Sequence, residues 1–379
     1  MRPEWGKLAI KTAVRDLPGA EVHMKFEVFD DTGAGWEKAW ADLPPRSRDA
    51  FASPAYYRAF AATEKGALPE CAVLRDGRGI LLYPYFRRML SEIDWLHAPD
   101  GSCDIMTAYG YGGIYGDIDR DDLLDDFMVL FGEHCARTGV VAELIRLNPL
   151  LGSESALSRH YELRTGNRQV VVDLRRSDDE IWRGYRHNNR KNVNKALRSG
   201  VEVIQEQPLG PHFGDFLSIY ASTMDRRGAD RGFHFPDGFY RTLAGGLGDG
   251  CRVFYALAGG TTVSAEMVLT SATAVYSFLG GTREEFFEFR PNNLLKHRIV
   301  LWARDAGYES FLLGGGPGGE DGIFDYKKSF APEGILDFHL ACRTHDESLY
   351  GTLVERCMER PRTAEPGAER YFLRWRYGG

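Results

Sequence analysis

The chain has 379 residues, 43% hydrophobic and 27% charged, with a net charge of −7. That length suggests two or three domains with sizeable cores, and the negative balance excludes global attraction to nucleic acid, so any RNA contact must be a local basic patch. With no run of 18 apolar residues, a charged N-terminal stretch unlike a signal peptide and six cysteines without a C-x-x-C pair, the expectation is a reduced, cytoplasmic protein with no membrane span and no metal site.

The first twenty residues read as a loosely attached arm. Short β-branched and aromatic runs at 22–29, 71–74 and 80–86 predict strands. A helix is expected over 54–62, with Ser53 as its cap. A longer one follows over 121–137. Asp117, Asp119, Asp121 and Asp122 cluster at its positive N-terminus, and Leu123, Leu124, Phe127, Leu130 and Phe131 fall at helical spacing. Gly139 stops it, and 140–147 reads as a buried strand.

Residues 177–200 predict one basic helix. Ser177 and Glu180 form a capping box, and Gly200 marks the stop. Inside it lie Arg183, Arg186, Arg190, Lys191, Lys195 and Arg198; Arg183, Arg186, Arg190 and Asn194 recur at three- and four-residue steps on one face. That face is either solvated or contacts phosphates. Trp182 and Tyr185 read as core anchors. Beyond it, 253–257, 263–270 and 274–279 read as three consecutive antiparallel strands. Pro291 and Asn292 open a helix to about 306, Gly307 stops it, and 310–313 is the next strand. Strands, a glycine turn, a helix and a strand therefore occur twice in the same order, which implies two α/β domains of one fold.

The run FLLGGGPGGEDGIFDYKKSF (311–330) has six glycines within nine residues and then a lysine pair between aromatics. Such glycine density marks sharp bends or close approach of a ligand to backbone. Gly314, Gly316 and Gly319 fit G-x-G-x-x-G, but Glu320 and Asp321 follow at once and would repel a pyrophosphate, so the dinucleotide reading is rejected. A lysine beside exposed backbone is the equipment a developing oxyanion or a carboxylate needs. A surface loop closing a domain is the plain alternative. No G-x-S-x-G, H-E-x-x-H or cysteine triad signature supplies a strong nucleophile.

Several ordered segments together resemble the FemA/FemB/FemX-type aminoacyltransferases. They are DIMTAYGYGG (104–113), AELIRLNPL (142–150), the basic helix ending KALRSGV (195–201), YASTMDRRGA (220–229), the run from YSFLGG to WARDAGY (276–308) and the closing YKKSF (326–330), similar to the family's FKxxF with Tyr326 for the first Phe. The resemblance covers roughly 50–340. It implies two tandem GNAT-like domains without a coiled-coil arm, one over 22–165 completed by 335–379 and one over 166–334.

It also implies transfer of an aminoacyl group from aminoacyl-tRNA to a primary amine of a peptide-like acceptor, in cell-wall or natural-product chemistry, by a monomer needing no cofactor. In that frame Lys327 lies at the reacting carbonyl. Asp104, Asp325 and Tyr109 are candidate bases by position. Tyr109, Tyr111, Arg226, Arg227, Tyr276, Asn292 and Lys328 are candidate substrate contacts. Arg183, Arg186, Arg190, Lys191 and Lys195 are the candidate tRNA face. Tyr276 is equally read as a packed strand aromatic, and Asp325 as a solvated loop acid. An acyl-CoA donor on the same scaffold is the alternative enzyme, and an inactive peptide- or carrier-binding module the alternative class. The sequence lacks the [RQ]-x-x-G-x-[GA] loop that holds a CoA pyrophosphate, which favours the tRNA donor.

Overall fold

The computed structural model describes residues 13–16, 23–64, 66–316, 318–359 and 371–377. It is mixed α/β, and the chain divides into two compact units: Met1–Arg164 with His339–Gly379, and Thr165–Phe338. Most of the expected N-terminal arm lies outside the described residues, but Ala13–Asp16 forms a strand.

The first unit is built on β1 (Ala13–Asp16), β2 (His23–Asp30), β3 (Ala67–Arg75), β4 (Ile80–Met89), β5 (Cys103–Met106), β6 (Tyr115–Gly116), β7 (Val140–Arg146), β8 (Glu162–Thr165) and a strand from beyond the second unit, β16 (His339–Thr344). Their order is β1-β2-β3-β4-β5-β7-β16-β8, with β6 on β4. Only β5 and β7 pair in parallel among the described ladders of this sheet. Helices α1 (Ala34–Asp42), α2 (Pro54–Ala61), α3 (Asp121–Thr138), α4 (Glu154–Leu157) and, after β16, α11 (Glu347–Met358) flank it. On α3 the expected stripe is buried, Phe127 and Phe131 packing with Tyr83 and Tyr85 of β4 and Ile145 of β7. Gly139 ends α3 at φ 73° and returns its N–H to Cys135. A Cβ there would stand 2.5 Å from the Gly101 carbonyl oxygen, so only glycine fits.

Asp104, a candidate base by position, is fully buried on β5. Arg88 Nε donates to its Oδ1 at 2.7 Å, while Trp375 Nε1 and Arg376 Nε donate to Oδ2 at 2.6 and 2.8 Å. Burial alone would raise its pKa, but the Arg88 and Arg376 guanidiniums outweigh it and hold the carboxyl below its ordinary value. The carboxylate therefore fastens Trp375 and Arg376, near the end of the chain, to the sheet.

The second unit has the order β10-β11-β12-β13-β14-β9-β15, from β9 (Gln169–Asp173), β10 (Val201–Glu206), β11 (Cys251–Ala258), β12 (Thr261–Thr270), β13 (Ala274–Thr282), β14 (Ser310–Gly314) and β15 (Ile335–Leu336). Strands β11, β12 and β13 form the expected antiparallel meander, and β13 pairs with β14 in parallel. The helices are α5 (Asp178–Gly184), α6 (His187–Arg198), α7 (Phe213–Arg227), α8 (Asp237–Leu247), α9 (Pro291–Asp305) and α10 (Gly322–Lys328). The order β4-β5-β7-β16 thus recurs as β12-β13-β14-β9, with α3 and α9 as matching crossovers, the repeat that the sequence carried.

The single basic helix is corrected. The capping box is present, but the helix breaks at Tyr185–Arg186, both extended at ψ 144° and 147°. Tyr185 is drawn into the core against Phe330, its hydroxyl 3.2 Å from His297 Nδ1. The Arg190 guanidinium turns back onto the carbonyls of Arg183 and Tyr185 and caps α5. Arg183, Arg186 and Arg190 do not share one helical face.

Asp104→Asn should leave two partly or fully buried guanidiniums without their carboxylate and lower stability by about 3–5 kcal/mol, measured by denaturant unfolding. Because the folded pKa is depressed, the Asp104 contribution is present at neutral pH and lost as pH falls through the carboxylate range. A wild-type-like unfolding midpoint would contradict this anchor.

Candidate active site

Strands β13 and β14 pair from Ala274↔Ser310 to Tyr276↔Leu312. Beyond that β13 stays with β12 to Thr282, and β14 stays with β9 to Gly314. Between Met267 and Val268 the β12–β13 register skips Phe278, a bulge that bends β13 where the strands part. Gly281 lets α7 lie close on the diverging strand. A Cβ there would stand 2.2 Å from Thr223 Oγ1 and 2.9 Å from the Ile219 carbonyl oxygen.

Lys327 reaches the end of β14. Its Nζ donates to the Gly315 carbonyl at 2.6 Å. It lies in the last turn of α10, whose N-terminus Asp321 caps through the N–H groups of Ile323 and Phe324. Tyr326 ties the helix down, its hydroxyl donating to the Asn292 carbonyl at 3.1 Å and its ring meeting Phe330 edge-on. The Lys327 pKa is brought down to about 8, chiefly by burial and then by the Lys296 ammonium, with Arg227 adding a smaller push; Glu266 and Asp321 oppose.

Three residues that the sequence reasoning passed over complete the cluster. Lys296 of α9, only 4% exposed, donates to Glu266 Oε1 and, at 2.8 Å, to Ser277 Oγ. Ser277 Oγ donates to the same Glu266 oxygen at 2.7 Å. The Lys296 ammonium also stands 5.3 Å over the Phe311 ring. Burial lowers its pKa, against the pull of Glu266. A sequence signal existed: positions 296, 299, 300 and 303 share the stripe that holds Ile299, Val300 and Ala303, so a lysine there falls on the buried face.

The other candidates are distributed as follows. Arg227 is exposed at the end of α7, with no ion pair among the described residues. Arg226 stands 4.9 Å over the Phe287 ring. Tyr276 is 1% exposed, a packed strand aromatic. Lys328 stands over Phe324. Asp325 is exposed and 3.8 Å from Arg186. Lys191 and Lys195 are exposed on α6, while exposed Arg183 faces Asp179 at 3.9 Å. Tyr109 and Tyr111 belong to the first unit, beside Phe60 and Phe51.

Residues 183–328 match the family model of an acetyltransferase (GNAT) domain. No curated protein sequence gives a match. Among solved structures, FemX is similar with a TM-score of 0.63 and 12% identity, over 86% of this chain and 99% of that one. L-PGS from Bacillus licheniformis has a TM-score of 0.54 and 13% identity, over 87% and 98%. The C-terminal domain (DUF2156) of a putative lysylphosphatidylglycerol synthetase from Agrobacterium fabrum has 0.53 and 16%, over 84% and 93%. The resemblance to the FemA/FemB/FemX type is thereby borne out at the level of fold: the chain has a tandem GNAT-like fold, and its second unit carries the segment that matches the acetyltransferase (GNAT) domain model.

Proposed function

We propose that this chain transfers an aminoacyl group from aminoacyl-tRNA to a primary amine of a peptide-like acceptor. The GNAT domain match supports acyl transfer, and the fold shared with FemX supports the aminoacyl form of it. The observation that carries the reading is the Lys327 ammonium, fixed on the Gly315 carbonyl where β13 and β14 part. When an amine attacks an ester carbonyl, negative charge gathers on the carbonyl oxygen. An ammonium held there, partly out of water, stabilises that charge more than the neutral ester. One of its three N–H groups is spent on Gly315, which leaves donors for the oxyanion. The amine is the nucleophile, so no acyl-enzyme is required.

The α6 surface supports a polyanionic donor. The helix contains no acid, and Lys191, Lys195 and Arg198 are exposed on it. Arg190, engaged with the end of α5, is removed from that set, and Arg186 faces Asp325. An acyl-CoA donor is the second reading, favoured by the acetyltransferase description of the matching domain.

Lys327→Met should lower kcat by about 10²–10³, with little change in Tm, whereas Lys328→Met should be mild. Since the ammonium is the active form and its pKa is about 8, kcat/KM should decline above about pH 8, and the residual activity of Lys327→Met should lack that limb. Full turnover by Lys327→Met would remove this residue from the mechanism.

With aminoacyl-tRNA as donor, turnover below saturation should drop steeply between about 50 and 200 mM salt. Lys191→Ala with Lys195→Ala should raise KM for the tRNA and flatten that slope, leaving KM for a small uncharged acceptor unchanged. RNase should abolish the reaction; survival of activity with an acyl-CoA would establish the second reading instead.

A further inference from the structure

Glu266 of β12 is 8% exposed and has one oxygen engaged. Oε1 accepts from both Ser277 Oγ and Lys296 Nζ, while Oε2 has no hydrogen-bond partner among the described residues. Its cross-strand neighbours are Phe254 on β11 and Gly280 on β13, so on the β13 side no side chain stands directly opposite it. Ser277, which fixes the carboxylate, is the first residue of β13 beyond the last parallel pair with β14. The buried carboxylate therefore stands at the opening, in the field of the Lys327 ammonium.

A buried lysine–glutamate pair is an expensive way to join a helix to a sheet. Taking both charges out of water costs several kcal/mol per ion, and apolar residues of similar volume commonly hold such a contact as well or better. Here the pair leaves a carboxylate oxygen unspent, which apolar packing could not offer. Two ammonium groups, Lys296 and Lys327, lie in its neighbourhood. A plain acyl group gives that oxygen nothing to bind. An aminoacyl ester carries an ammonium on the carbon next to its reacting carbonyl, so a carbonyl oxygen at Lys327 brings a second charge of opposite sign close by.

We propose that Glu266 Oε2 binds the α-ammonium of the donor's aminoacyl group, with Ser277 and Lys296 as positioning residues that hold the carboxylate. This rests on the aminoacyl reading above and names what distinguishes the donor: a free primary ammonium α to the activated carbonyl. The site discriminates because a donor with a blocked amine brings a bulkier, neutral N–H to the carboxylate in place of an ammonium, and a hydrogen bond between charged groups is the stronger one.

The test has two arms on the full chain. In the first, calorimetry compares an amino-acid methyl ester with its N-acetyl derivative; the free-amine ester should bind at least about tenfold tighter. In the second, kcat/KM is compared for aminoacyl-tRNA and N-acetyl-aminoacyl-tRNA, with a preference of about 10–100-fold for the free amine. Glu266→Gln should reduce both ratios to about one. Because that variant strands the buried Lys296, Glu266→Gln with Lys296→Met is made in parallel; it restores a neutral interior and should also lose the preference while remaining folded by circular dichroism. Equal binding of the two esters by the wild type, or a preference that survives in the folded double variant, overturns the proposal. Ester discrimination with no turnover of any aminoacyl-tRNA supports the ammonium site and sinks the tRNA reading.

Discussion

Everything of chemical interest in the second unit depends on two parallel strands that pair for three residues and then separate. Hydrogen-bonded strands lie about 4.8 Å apart, too close for a ligand. Once β13 follows β12 and β14 follows β9, a space opens between them into which polar groups can reach. The Gly315 carbonyl takes the Lys327 ammonium, and Ser277 takes Glu266 and Lys296. The bulge at Phe278 and the glycines at 280 and 281 allow β13 to bend while remaining paired to β12 and covered by α7. The glycine-rich loop after β14 serves the same end by turning the chain back so that α10 delivers Lys327.

Charge then decides how that opening behaves. Two ammonium groups sharing a partly dry space lower each other's affinity for protons, and burial acts in the same direction. Lys327 is left with a pKa of about 8, below that of a free lysine, charged at neutral pH yet less firmly so than a surface lysine. Glu266 tempers the repulsion and keeps the cluster from becoming purely cationic. An arrangement with both signs of charge at fixed positions suits a reaction in which a neutral carbonyl becomes an oxyanion beside a cationic amine.

The legible part of this structure was the part governed by local rules. Helix α3 declared itself through its acids, its apolar stripe and Gly139; the meander β11-β12-β13 and the crossover α9 through β-branched runs and the Pro291 start. The repeat was legible because order survives when identity does not. What escaped was set by tertiary contacts. The break at Tyr185–Arg186 depends on Phe330 and on Arg190 folding back, neither of which helical spacing can announce. The strand Ala13–Asp16 was hidden in a mixed, charged segment. Asp104 was noticed only by position, and two of its three partners, Trp375 and Arg376, lie some 270 residues further along the chain. Lys296 was within reach, since a lysine on an otherwise buried stripe is a signal in itself.

The duplicated topology also argues for where the chemistry sits. In the first unit β5 and β7 pair to Met106↔Leu144, the counterpart of Tyr276↔Leu312. There the chain stitches the gap with its own backbone. The Arg146 N–H donates to Thr107 Oγ1, the Thr107 N–H donates to the Leu144 carbonyl, and Gly112 exchanges bonds with Arg146 and Asn148. The returning segment forms a further parallel bridge, Gly112↔Leu147. Backbone groups so engaged are not available to a substrate. In the second unit no described pairing joins the strands after Tyr276 and Leu312, and the polar groups there are side chains with exchangeable protons. Of two equivalent junctions in one fold, the first is closed by the chain itself, and the second holds a lysine, a buried ion pair and a serine around the space that remains.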